Sequence, residues 1–161
     1  MRNIFSMSIW APNAIPSDEW KYRNLKRVMF PVIDVIFILS GLSAAYYGVP
    51  AISEFYHRGV VDSFALAMSL SGFAALLGVA FPKLWALEIG AKSVLLGLMV
   101  VYFTSLFILT RIGEGNRGFV LGIAAVAIAP VIWRLSLLGN EWQQRRVAKK
   151  IELESKESPN V

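Results

Sequence analysis

Four long apolar runs separated by short polar interruptions dominate the hydrophobic pattern of the chain, at about residues 28–48, 63–82, 84–110 and 117–138. A bilayer hydrocarbon core about 30 Å thick requires roughly 20 apolar residues in helix. The first run, from Val28, follows Pro16-Ser17-Asp18-Glu19, which reads as a helix start with Ser17 as cap and acids in the first turn. Glu19–Arg27 is therefore expected as an interfacial helix feeding the first span, with Pro31 bending or breaking it at membrane entry and Val49-Pro50 closing it. The second run carries no charge from Ser63 to Phe81 and stops at Pro82-Lys83. That turn is so short that the third span must return directly beside the second. The third run ends at the glycine-containing loop Arg111–Arg117. The fourth, Gly118 to Trp133, is about 24 Å long as a helix, and snorkelling of Arg134 would let Leu135–Leu138 extend it.

The pattern predicts an all-α polytopic membrane protein. A four-transmembrane-helix bundle at 28–139 lies between an N-terminal cytoplasmic or interfacial arm, 1–27, and a charged cytoplasmic tail, 140–161. Composition agrees: 56% of residues are hydrophobic and 17% charged, too few polar groups to clothe a soluble domain of 161 residues. Too little chain remains to bury four such runs inside protein. The segment after Arg2 is short and interrupted before Pro12, so it reads as an arm and not a cleaved signal. With no cysteine there is no disulfide, thiol chemistry or lipidated-cysteine anchor.

Four spans place both ends on one side. Arg2, Lys21, Arg23, Lys26, Arg27, Lys83, Arg134, Arg145, Arg146, Lys149, Lys150 and Lys156 would lie on that side, against Arg58, Arg111 and Arg117 opposite. Because cytoplasmic loops carry the Lys and Arg excess, both termini are expected in the cytoplasm, with a bacterial inner membrane as the location. Trp85, Trp133 and Trp142 then cluster at the cytoplasmic interface, and Tyr46 and Tyr47 mark the outer one. The net charge of +5 sits beside apolar stretches, which points to anionic lipid and away from nucleic acid.

The candidate chemistry lies in four charges within or beside the spans: Asp34, Glu88, Lys92 and Arg134. In the predicted topology all four share the cytoplasmic half, where charges must pair or face a wet interior. Glu88 and Lys92, spaced i,i+4, are expected to pair along one helix, leaving Asp34 to Arg134 or to a shared Lys92. Two roles fit: a neutral network that fixes which helix sits beside which, or a polar seam that conducts an ion or proton or opens when the bundle rearranges. Small multidrug antiporters resemble this chain in topology, with four short spans and an acid in the first. The residues around Asp34 do not match their motif.

Small residues at close-packing spacing form the second pattern: Gly41 and Ala45; Ser71, Ala75 and Gly78; Gly118 and Gly122, with Ala129 beyond. They serve either packing within the bundle or self-association. Arg145, Arg146, Lys149 and Lys150 in the tail would contact anionic lipid or anchor the topology, each contributing about 1 kcal/mol near a charged surface. His57, alone in an outer loop, reads as a surface residue. No nucleotide, hydrolase or zinc-protease motif is present, so neither catalysis nor a cofactor is expected.

In organisation the chain resembles the small multi-span membrane proteins of bacteriophages, including holins. The features are closely spaced spans (Ser63–Phe81, Pro82-Lys83, Leu84–Thr110), a charged tail (Arg145–Lys156) and no large extramembrane domain. The resemblance implies self-association in the inner membrane and permeabilisation without catalysis. An accessory subunit of a larger membrane complex, and a small ion- or proton-coupled transporter using Asp34, are the competing classes.

Overall fold

In hydrocarbon a backbone group has no water to bond, so each apolar run satisfies its own amides as helix. The computed structural model describes residues 8–11, 23–112 and 118–157. It contains α1 (Phe30–Tyr47), the short α2 (Pro50–Ser53), α3 (Arg58–Ala80), α4 (Trp85–Ile112) and α5 (Gly118–Glu157), with no strand among the described residues. Among the described residues, four helical stretches are long and apolar enough to cross a membrane: Leu25–Tyr47, Arg58–Ala80, Pro82–Ile112 and Gly118–Gln143.

Pro31 does not break the first span. A five-residue π-helical turn, Leu25–Met29, runs straight into α1, and the Phe30 amide bonds the Leu25 carbonyl. The wider turn makes room for a ring that would collide with the preceding carbonyls and that brings no N–H. The Arg27 carbonyl, four positions before Pro31, instead accepts the Trp10 indole N–H at 3.1 Å. Ser17 and the rest of the predicted cap lie outside the described residues. At the far end Gly48 stops α1 with φ 79°, a left-handed conformation that favours glycine, and Pro50 opens α2.

The second span begins at Arg58, five residues before the predicted edge, because its first turn, with Arg58 and Asp62, extends past the apolar run. Pro82–Leu84 form a single 3₁₀ turn, and α4 returns against α3 as the short turn demands. The fourth span continues into the tail: α5 is one 40-residue helix with no boundary at 140. Gly139-Asn140 is followed by good helix formers and no proline, so nothing ends it there. Pro130 sits inside α5 without ending it, as proline does in membrane helices.

The helices pack in chain order, α1 on α3, α3 on α4 and α4 on α5; α1 and α5 have no comparable backbone packing. Phe37, Phe64, Met68, Ala75, Leu95, Met99 and Val131 form the central apolar core. Around it the usual arrangement of a soluble protein is inverted. Asp34, Glu88, Lys92 and Arg134 are buried, while Val32, Ile36, Leu39, Leu66, Leu70, Phe73, Val94, Ile123 and Val126 face outward. Water would penalise that surface; hydrocarbon does not. The chain is an integral, multi-pass membrane protein.

Candidate functional site: a buried charge ring below an apolar groove

Helical spacing brings the buried charges together. Asp34 lies one helical face position from Phe30 and Phe37, on the buried side of α1, and Glu88 and Lys92 lie one turn apart on the buried side of α4. Lys92 donates from Nζ to Oδ1 of Asp34, joining α4 to α1. Arg134 donates from Nε to Glu88 Oε1 at 2.5 Å and from Nη2 to Oε2 at 2.9 Å, a two-pronged bridge from α5 to α4. At the ends of the first and last spans, Lys26 donates to Glu141 Oε1 at 2.7 Å, and Arg134 Nη1 lies 3.7 Å from the same carboxylate. Three acids and three bases thus link α1 to α4, α4 to α5, and α5 back to the turn before α1.

This pairing corrects part of the sequence expectation. Glu88 and Lys92 could meet along α4, but each instead reaches across to another helix; Asp34 takes Lys92 and not Arg134. The planar guanidinium matches both oxygens of Glu88, and one ammonium matches one oxygen of Asp34. The six formal charges cancel, which is how buried ions are tolerated in a low-dielectric surround. Oδ2 of Asp34 and Nη1 of Arg134 have no hydrogen-bond partner among the described residues. The Arg134 guanidinium also lies 4.9 Å over the ring of Phe30, adding a cation–π contact between α5 and α1.

Close backbone approach supports the ring. A Cβ on Gly78 would lie 2.8 Å from Glu88 Cα and N, so α3 passes Glu88 at a distance that only glycine permits. Gly41 is equally confined, with Ser69 N at 2.7 Å and Ala65 O at 2.8 Å from such a Cβ. On α3, Ala75 is fully buried and Ser71 half-buried. Gly72, which the small-residue pattern did not single out, packs against Ile38 and the Asp34 carbonyl. Ala45, Gly118 and Gly122 are exposed, and nothing lies within 4 Å of a Cβ on Gly122. Small side chains suit a helix contact and a lipid contact alike, so spacing alone cannot sort them.

The N-terminal segment covers the charged end. Ile9, which is buried, donates its amide to the Ala80 carbonyl at 2.9 Å, capping α3. Arg27 donates to the carbonyls of Ile9 at 3.1 Å and Ala11 at 3.0 Å. Sequence reading missed Lys26, Glu141 and this strap, because charges and aromatics in polar flanks carry no signal of their own. In the tail, the Arg146 guanidinium lies 3.6 Å over Trp142 and Lys150 is exposed, while the side chains of Arg145 and Lys149 lie outside the described residues.

Above the ring, α1 and α5 stand apart around a groove of about 810 Å³, lined by Ile33, Phe37, Met99, Ile123, Ala127 and their neighbours. A second cavity of about 410 Å³ at the end remote from the ring is lined by Tyr46, Tyr47, Tyr56, Arg58 and Asp62 among others, and Gly48 borders both. His57 is exposed immediately before α3, and among the described residues no three His, Asp or Glu side chains are grouped to hold a metal ion. Compared with protein-family models, curated proteins and solved structures, the chain matches none.

Proposed function

We propose that this protein is a holin-like, non-enzymatic component of a bacterial inner membrane, with both ends in the cytoplasm, that permeabilises the bilayer by assembling sideways and parting along the α1–α5 seam. One observation carries the reading: side chains close α1 to α5 at the charged end, through Lys26–Glu141 and Phe30–Arg134, while among the described residues the seam above them has no backbone packing comparable to that of the other helix pairs. A seam held by a few polar contacts opens more readily than one packed along its length. The basic residues of the charged end support the cytoplasmic orientation, and anionic lipid and further copies of the chain are the partners that fit. Induced expression in bacterial cells carrying a potential-sensitive dye tests this. The expected result is an abrupt loss of membrane potential; protein accumulating in the membrane with potential intact would refute it.

Outward-facing glycines favour a second reading. Gly90 and Gly97 on α4 and Gly122 on α5 have open space around them, so foreign helices could approach closely. Such contacts suit an accessory subunit of a larger complex, which would purify with a fixed partner and leave the potential unchanged.

A further inference from the structure

We infer that the groove and the tyrosine-lined cavity form one binding site for a zwitterionic phospholipid, with an acyl chain between α1 and α5 and the head group at Arg58 and Asp62. The site does not depend on the protein being a permeabilising agent.

The groove is continuous with the lipid-facing surface: Ile36, Leu39, Ile123 and Val126 line it and are themselves exposed. Of its lining side chains only Ser40, Ser43 and Tyr102 carry a polar atom. Water gains little from so apolar a space, and a groove open to hydrocarbon is filled by it. Its lining on α1 runs from Ile33 to Gly48, about 22 Å along the helix, enough for a chain that spans one leaflet's share, roughly 15 Å, of the hydrocarbon core. Hydrocarbon from the adjoining leaflet is therefore the occupant that matches in chemistry and in length.

The head-group end is where charge decides. Gly48 borders both cavities and carries no side chain to divide them. Arg58 and Asp62 lie one turn apart on α3, at the rim beside Tyr46, Tyr47 and Tyr56. A guanidinium suits a phosphodiester, while a carboxylate flanked by tyrosine rings suits an ammonium group. A cation and an anion on one rim complement a head group that bears both. A purely anionic head group would satisfy Arg58 but be repelled by Asp62.

Native mass spectrometry of the delipidated full chain in detergent tests the site, with palmitoyl-oleoyl phosphatidylethanolamine, the matching phosphatidylglycerol, and palmitate as separate probes. The wild type should retain one phosphatidylethanolamine about tenfold more tightly than phosphatidylglycerol. Ala127→Phe, which fills the groove, should weaken both about tenfold, whereas Ala125→Phe on the neighbouring outward face should not. Ser43→Phe serves in place of Ala127→Phe if that variant melts early. Arg58→Gln with Asp62→Asn should erase the head-group preference and leave palmitate binding unchanged. Equal binding of both phospholipids by the wild type, undiminished binding by the groove-filled variant, or a lipid-free dimer seated through the groove would overturn the proposal.

Discussion

Lys26 and Glu141 lie 115 positions apart in the chain and meet at 2.7 Å, completing a circuit of side chains that backbone packing leaves open between α1 and α5. The pair is only partly shielded, its side chains 11% and 25% exposed, so its energetic contribution is modest while its position matters. Replacing Glu141 by Gln should cost on the order of 1 kcal/mol in stability. The larger effect should be on motion: spin labels at Val28 and Trp142 should report a broader distance distribution than in the wild type. An unchanged distribution would show that the pair does not hold the seam.

The Arg134–Glu88 bridge sits deeper, and removing one partner strands the other in a water-poor interior. Arg134→Ala should destabilise the protein by about 3–5 kcal/mol, read as a lower melting temperature in detergent. The exchange of Glu88→Arg with Arg134→Glu should recover part of that loss. Arg134→Glu with Asp34→Lys should recover less, because Asp34 belongs to Lys92. Greater recovery in the second exchange would reverse the pairing described here.

Glycines on the two kinds of surface should respond differently to one added methyl group. Gly78→Ala forces a Cβ into the Glu88 backbone and should cost about 1–3 kcal/mol. Gly122→Ala meets open space and should be neutral or slightly stabilising in a helix. Equal losses at both sites, measured by thermal melting, would mean that α5 packs on something here in the membrane.

Pro31 sets the angular position of the residues before it. A π turn holds one residue more than an α turn, so restoring α geometry would rotate Leu25–Met29 by roughly 100° relative to α1. Pro31→Ala should therefore swing Lys26 off Glu141 and release Trp10 from the Arg27 carbonyl. Hydrogen exchange at residues 9–11 should quicken by tenfold or more. Unchanged protection would show that the strap is held without the carbonyl that Pro31 leaves vacant.

The spans were legible because hydropathy follows directly from what a lipid solvent accepts, and the Pro82-Lys83 hairpin because a turn that short allows only one geometry. That Asp34, Glu88, Lys92 and Arg134 need partners was legible for the same reason: any charge inside such runs stands out. Their partners were not. Spacing along one helix suggests Glu88–Lys92, but which helix faces which depends on packing at Gly41, Gly72 and Gly78, and two of those three glycines could be flagged without revealing what they touch. Lys26 and Glu141 lay in flanks where charge is ordinary. Of the two outcomes open at Pro31, a bend or a break, the sequence could not choose, because the compensating π turn has no residue signature.

Thiol cross-linking in native membranes tests the central claim most directly, and the absence of cysteine means that every thiol is an introduced one. With a short bifunctional reagent, Lys26→Cys with Glu141→Cys should cross-link within the chain at high yield, whereas Leu39→Cys with Ile123→Cys, across the groove, should not. Equal yields at the two positions, or cross-linking across the groove alone, would contradict a bundle whose first and last spans are held closer at the charged end than across the groove.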